Sequence, residues 1–238
     1  MVVDEKFYVG YSDINKELKI SNTALLKIFE NMACIHGNMA GESIKTSKYR
    51  WFLTAYHVKV LNRPDYETYI TARTWSREIR GVSACREFEI YDENGKLCVV
   101  AESNWARINI ETGKLERTSS DVIAAYGGEK ERTNFGSAWI EKLKEPEGFV
   151  FEKEISPARM FIDVNDHMNN VCYLEVADVI LPDDVYNAPE SDEFEIMYRR
   201  AIKYGEEIIC RYSDTENGIF VTLKDKENDL RAIVKLKK

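Results

Sequence analysis

A helix followed by a run of strand-like segments occurs twice along this chain of 238 residues. The first helix is predicted from SNTALLKIFENMACIHGNMAG, where Ser21 or Asn22 can cap the start and Gly41 can end it. The second is predicted to begin at Asn169 or Asn170 and to end at LPDD. Two helices in the same sequence context indicate a tandem repeat of one α+β unit.

The strand-like segments and their turns support the repeat. DENGK and DTENG are hairpin signals, because Asn and Gly tolerate positive φ. Laying one half over the other without gaps pairs Asn15 with Asp163, Glu17 with Asn165 and Lys19 with His167. We therefore assign a first unit to residues 1–116, a connector to 117–147 and a second unit to 148–238.

Charge and cysteine content limit the class of protein. The net charge of −8 argues against general affinity for nucleic acid. Five scattered cysteines without a CxxC pair argue against a disulfide framework or a zinc site and favour a reducing cytoplasm. The sequence has no apolar run long enough for a membrane span, and MVVDEKFYVG lacks the features of a signal peptide. We expect a cytoplasmic protein without stable membrane insertion.

The stretch FIDVNDHMNN gathers an acid, an amide and an imidazole ahead of the second helix. In an extended chain Asp163, Asn165 and His167 would share one face, and the helix N-terminus would add unpaired N–H donors. Such a set suits acyl transfer to water, with an oxyanion held by backbone donors and no metal or cofactor. The same residues are also good capping and turn residues, so a purely structural role stays open.

The other two histidines carry less information. His57 alternates with its neighbours on a predicted strand, so we expect it to face solvent. His36 lies on the apolar stripe of the first helix, which favours a core or pocket-lining position.

DVNDHMNNVCYLEVADV resembles the DxNxHxNNxxY signature of acyl-[acyl-carrier-protein] thioesterases. The segments of the first half also match the family in their order, so the resemblance covers nearly the whole chain. The resemblance implies two tandem hot-dog folds, each a long helix wrapped by an antiparallel β-sheet, packed sheet to sheet. It also implies hydrolysis of acyl-carrier-protein thioesters to free fatty acid in fatty acid biosynthesis. The plastid targeting segment of plant members is absent, which suggests a bacterial-type member.

By motif match, the resemblance places the family's catalytic roles on Asp163, Asn165 and His167. Asp163 would activate water, while Asn165 and His167 would bind and polarise the thioester carbonyl. The first unit would shape the acyl pocket. The chain departs from the family at MYRRAIKYG, because plant members have a glutamate where Ala201 stands and a cysteine in place of Ile202. Glu175 and Asp178 are the candidate replacement carboxylates.

The partner implied is acyl carrier protein, an acidic protein, so docking requires a local basic cluster, for which Arg199, Arg200 and Lys203 are the candidates. Two alternatives remain at this point: an acyl-CoA thioesterase on the same scaffold, and a non-catalytic acyl-binding protein, which Ala201 makes credible. The sequence leaves open whether the protein is a homodimer.

Overall fold

The computed structural model describes residues 1–136 and 139–238, and the chain divides into two compact units, Met1–Ile140 and Glu141–Lys238. Part of the segment assigned as a connector, a helix at Ser120–Tyr126, therefore belongs to the first unit. The domain boundaries assigned from the sequence stay a prediction. Within the described part of the chain, no helix has the length and apolar character needed to cross a membrane.

In the first unit a long helix packs on an antiparallel sheet with strand order β1-β3-β4-β5-β2, and β6 lies beside β5. The helix starts as predicted, since the Ala24 N–H donates to the Ser21 side chain at 3.1 Å. On its apolar stripe, Leu25, Phe29 and Met32 are fully buried. The elements are β1 (Val2–Tyr8), α1 (Asn22–Met39), β2 (Tyr49–Val60), β3 (Tyr69–Arg80), β4 (Ser83–Tyr91), β5 (Leu97–Asn109), β6 (Lys114–Leu115) and α2 (Ser120–Tyr126).

The other face of this sheet is covered by the chain after α2. The Asn134 N–H donates to Glu87 Oε2 at 3.0 Å, and Phe135 stacks on His57 with ring centroids 4.1 Å apart. The imidazole is only 19% exposed and lies 3.5 Å from Glu102 Oε1. The expectation that His57 faces solvent is therefore wrong, because alternation along a strand does not reveal a loop that covers the outer face.

The second unit has an antiparallel sheet in the order β8-β11-β10-β9-β7, and a short helix packs against β11. The predicted DTENG hairpin joins β9 to β10. Gly218 has φ of 124°, and a Cβ there would lie 2.6 Å from the Leu236 carbonyl oxygen, so only glycine fits. The elements are β7 (Phe151–Ile155), α3 (Cys172–Asp178), α4 (Asp183–Tyr186), β8 (Glu193–Tyr198), β9 (Ile208–Thr215), β10 (Gly218–Lys224) and β11 (Leu230–Leu236).

The expected α+β architecture is confirmed in both units, but the expected long second helix is wrong. Helix α3 has seven residues and begins at Cys172 rather than at Asn169 or Asn170. The Asn169 side chain accepts a hydrogen bond from the Val171 N–H at 2.9 Å, which keeps residues 169–171 in a turn. At the other end, Pro182 separates α3 from α4.

Candidate active site

The candidate catalytic residues lie in a tight hairpin turn that precedes α3. The Asp163 N–H donates to the His167 carbonyl at 2.8 Å, and the Asp166 N–H donates to the Asp163 carbonyl at 3.1 Å. Asp166 has a left-handed φ of 60°. The expectation that Asp163, Asn165 and His167 share one face of an extended strand is therefore wrong, although the turn does bring all three together within five residues.

The Asp163 side chain holds this turn closed. Its Oδ1 accepts the Asn165 N–H at 2.8 Å and the His167 N–H at 3.4 Å, while Oδ2 accepts the Asn165 side-chain amide at 3.2 Å. Asp163 and His167 are half-buried and Asn165 is exposed. The structural role considered for Asp163 is thus present, and a carboxylate with about four acceptor positions keeps one for water.

An equivalent turn occurs in the first unit, 148 residues earlier in the numbering. The Asn15 N–H donates to the Lys19 carbonyl at 2.8 Å, and Asn15 Oδ1 accepts the N–H groups of Glu17 at 3.0 Å and Lys19 at 3.2 Å. Leu18 has φ of 58°, as Asp166 does in the second turn. The gapless pairing of Asn15 with Asp163 and of Lys19 with His167 is confirmed by this shared geometry. Lys19 and Glu17 do not reproduce the acid–imidazole set.

The oxyanion site expected at the start of the second helix lacks support. The Val171 N–H is bound to the Asn169 side chain, and the Cys172 N–H donates to the Asn169 carbonyl at 3.0 Å. A seven-residue helix also has too few aligned peptides for a strong terminal dipole.

The segment at Ala201, where plant family members have a glutamate, is bonded to the Asp163 turn. The Met168 N–H donates to the Ile202 carbonyl at 2.7 Å, and the Ile202 N–H donates to the Tyr173 hydroxyl at 3.2 Å. Arg231 Nη1 donates to the Ala201 carbonyl at 2.7 Å. The motif turn and position 201 are therefore neighbours in this unit, even though the carboxylate is missing.

Tyr173 and Arg231 are members of this neighbourhood that sequence reasoning missed. Burial raises the pKa of Tyr173 to about 12, against the opposing effect of its Ile202 contact, and the Asp163 charge contributes to the rise. Arg231 donates to Asp225 Oδ2 at 2.9 Å as well as to Ala201. Tyr173 could have been predicted from the sequence, because it is the tyrosine of the DxNxHxNNxxY signature. Nothing in the sequence distinguishes Arg231 from a surface arginine on a strand.

The two carboxylates considered as replacements lie on α3 and are half-buried. Burial raises the pKa of Asp178 to about 6, and the charges of Glu190 and Glu175 add to the rise. The role of either residue as a replacement for the family glutamate stays a prediction. Among the described residues, no group of three His, Cys, Asp or Glu side chains is arranged to hold a metal ion.

The three basic residues considered for carrier docking are exposed and follow β8 closely. Arg199, Arg200, Asp229 and Leu230 line an open surface cleft of about 320 Å³. Arg200 Nη1 lies 2.8 Å from Asp229 Oδ2 in an ion pair that is more than half exposed on both sides. An exposed pair of this kind contributes little and can exchange partners.

Comparison with family models gives a match over both halves of the chain. Residues 1–126 match the acyl-ACP thioesterase N-terminal domain, and residues 144–236 match the acyl-ACP thioesterase C-terminal domain. The chain is 22% identical to oleoyl-acyl carrier protein thioesterase 1 of Arabidopsis thaliana, over 93% of this chain and 64% of that protein. The chain thus spans less than two thirds of the length of this relative.

Solved structures show the same fold. The acyl-ACP thioesterase from Bacteroides thetaiotaomicron superposes with a TM-score of 0.84 at 21% identity, over 99% of this chain and 97% of that one. The 12:0-ACP thioesterase from Umbellularia californica gives 0.83 at 16% identity, over 99% and 96%. At such low identity these likenesses show the fold alone, and they confirm the tandem hot-dog architecture expected from the sequence.

Proposed function

Because the chain belongs to the acyl-ACP thioesterase family, we propose that it hydrolyses the thioester of acyl-acyl carrier protein and releases a free fatty acid. The observation that supports the proposal is the turn that gathers Asp163, Asn165 and His167 and is bonded to the segment containing Ala201. An acid, an amide and an imidazole in one turn exceed what turn closure requires. The equivalent turn of the first unit closes with Asn15, Glu17 and Lys19.

In the proposed reaction Asp163 removes a proton from water, whose oxygen forms the new bond to the thioester carbon. His167 and Asn165 donate hydrogen bonds to the carbonyl oxygen as it gains negative charge. The carbon–sulfur bond then breaks, and the thiolate leaving group accepts the proton that Asp163 took from water. We propose that Arg199, Arg200 and Lys203 contact the acidic carrier during this cycle.

The test of this proposal is hydrolysis of acyl-acyl carrier protein by wild type and by Asp163→Asn. Asparagine should preserve the turn, because Asn15 closes the equivalent turn of the first unit. We expect kcat to fall about 100-fold, the usual loss when a general base is removed, while Tm stays nearly unchanged. Acyl-CoA assayed in parallel distinguishes the carrier from coenzyme A as the preferred substrate.

The matched control is Asn15→Asp, which places a carboxylate in the first turn and should leave kcat unchanged. A folded Asp163→Asn protein with full activity would show that the base lies elsewhere, and Glu175 and Asp178 would be the next residues to replace. A wild-type protein that binds acyl carrier without turnover would identify the chain as an acyl-binding protein.

A further inference from the structure

The docking segment, residues 199–203, carries the three cations proposed to contact the carrier, and Arg231 of β11 holds its first part. The Arg231 carbonyl accepts the N–H groups of Arg199 at 2.8 Å and of Arg200 at 3.3 Å. The guanidinium of the same residue donates to the Ala201 carbonyl at 2.7 Å. Main chain and side chain of one residue therefore fix the backbone of three successive residues.

The last part of the docking segment is held through a carboxylate. Glu206 Oε2 accepts the Lys203 N–H at 3.0 Å and lies 3.4 Å from Arg231 Nη1. Between the two ends, the Ile202 carbonyl accepts the Met168 N–H at 2.7 Å, directly after the proposed catalytic turn. The docking segment thus connects the exposed cations to that turn, and Arg231 binds it on both sides of the connection.

The Arg231 side chain suits this role because it is charged, largely buried and planar. It is 14% exposed, and its Nε lies 2.9 Å from Asp225 Oδ2, on a side chain that is 8% exposed. Arginine presents five N–H donors in a fixed fork, so one side chain can bind Asp225, Glu206 and the Ala201 carbonyl together. A lysine would keep the charge but would not hold three partners in a fixed plane.

The first unit repeats the backbone contacts of the docking segment but not the side chain of Arg231. The Cys98 carbonyl accepts the N–H groups of Leu61 at 2.8 Å and of Asn62 at 3.0 Å. Three residues after Leu61, the Pro64 carbonyl accepts an N–H at 2.9 Å from the residue that follows the first hairpin turn. Position 98 is therefore equivalent to position 231, and the backbone contacts belong to the repeat.

An arginine inside the equivalent segment anchors it in the first unit. Arg63 has the position that Ala201 has in the second unit and is 9% exposed. Its Nη1 donates to the Ile20 carbonyl and to Asn22 Oδ1, each at 2.9 Å. This segment has a leucine, an amide and an aspartate at the positions of the three proposed docking residues. Each unit thus anchors the segment with a buried arginine, but the first gives it no such set of cations.

We propose that Arg231 is a positioning residue that keeps the docking segment in register with the Asp163 turn, so that a docked carrier presents its thioester to that turn. The inference rests on the proposed hydrolysis of acyl-acyl carrier protein. Arg231 acts through the backbone of residues 199–203 and not by contact with substrate. When its guanidinium is lost, the docking cations remain but the thioester is misplaced, and misplacement lowers the rate of the chemical step.

The test is steady-state hydrolysis by Arg231→Lys, which keeps a positive charge beside the buried Asp225 and so preserves the folded state. We expect the ratio of kcat with acyl-acyl carrier protein to kcat with a small thioester to fall about tenfold. KM for the carrier substrate should change less than about twofold, because the docking cations are unchanged. A ratio equal to that of wild type would overturn the proposal.

The matched control is Arg63→Lys, which loosens the equivalent segment of the first unit. Both variants should lower Tm, because each loses hydrogen bonds of a buried arginine. Only Arg231→Lys should lower the ratio of the two kcat values, since the Arg63 segment carries none of the proposed docking residues. Equal falls of the ratio in both variants would show an effect through the fold alone and would overturn the proposal.

Amide hydrogen exchange measures the anchoring without any substrate, so it separates this inference from the proposed function. In Arg231→Lys the N–H groups of Met168 and Lys203 should exchange about tenfold faster than in wild type, as expected for the loss of a charge-assisted hydrogen bond. The N–H of Val221, in the middle of β10, should exchange at the wild-type rate. A fall of the kcat ratio without faster exchange would overturn the positioning role. Absence of acyl-carrier hydrolysis in wild type would instead overturn the proposed function, and with it the presentation of the thioester by the docking segment.

Discussion

Two acidic residues of the second unit, Asp163 and Asp178, occupy opposite environments. Asp163 accepts backbone N–H groups and an amide within a half-buried turn. Asp178 is half-buried on α3 near two other acids, and its pKa rises to about 6. Burial among like charges favours the neutral form of Asp178, which makes this residue a source of pH-dependent instability.

The raised pKa of Asp178 predicts a specific pH dependence of stability. Between about pH 4 and pH 6 the unfolded chain ionises at this residue while the folded chain keeps its proton, so its contribution to stability is lost as pH rises. Asp178→Asn removes that loss. Its Tm should equal that of wild type near pH 4 and exceed it above pH 6. Thermal melts across this range measure the difference, with Asp184→Asn on α4 as a control. A constant offset at every pH would contradict the prediction.

Among the structural elements, the two hairpin turns share one backbone geometry but carry different side chains. Both turns place a left-handed residue fourth and both are closed by the first side chain, an amide in one and a carboxylate in the other. Each also donates its following N–H to a neighbouring loop, from Ile20 to Pro64 in the first unit and from Met168 to Ile202 in the second. Turn closure is therefore common to both units, and the imidazole is specific to the second.

This comparison predicts that stability and activity respond differently to the same truncation. Asn15→Ala and Asp163→Ala each remove the side chain that closes a turn, so each should cost about 1 kcal/mol of unfolding free energy. Only Asp163→Ala should also reduce kcat. Urea unfolding and hydrolysis assays on the two variants measure both quantities. Equal loss of kcat in both variants would mean that the second turn contributes to activity through folding alone.

Local patterns predicted the elements well wherever local chemistry determines them. The Ser21 cap, the DENGK and DTENG hairpins and the pairing of the two turns are all present in the structure. One error arose where distant groups act, because Phe135 and Glu102 enclose His57 from elsewhere in the sequence. Another arose locally, because the Asp163 side chain holds a turn where an extended strand was expected. Periodicity also did not predict that Arg86 is buried, because a single arginine on a strand is usually a surface residue.

For the whole molecule, the net charge of −8 affects the proposed encounter with an acidic carrier. Long-range repulsion opposes the encounter, and it is screened beyond roughly 10 Å at moderate salt. A short-range basic cluster must then hold the carrier in place. Arg199, Arg200 and Lys203 are the proposed cluster, since all three are exposed in one stretch of chain and the Arg200 side chain pairs with an exposed Asp229.

Replacing Arg199, Arg200 and Lys203 together by alanine should raise KM for acyl-acyl carrier protein about tenfold, at about 0.5 kcal/mol for each exposed charge. Activity on a small thioester should not change, and KM should depend less on salt than in wild type. The control is the triple alanine variant of Lys45, Lys96 and Lys114, which are exposed in the first unit and take the net charge from −8 to −11 equally. If both triple variants raise KM by the same factor, general repulsion rather than a docking surface governs the encounter. If only the first does, the contact is local, and its position beside the Asp163 turn would place the thioester close to the residues proposed to cleave it.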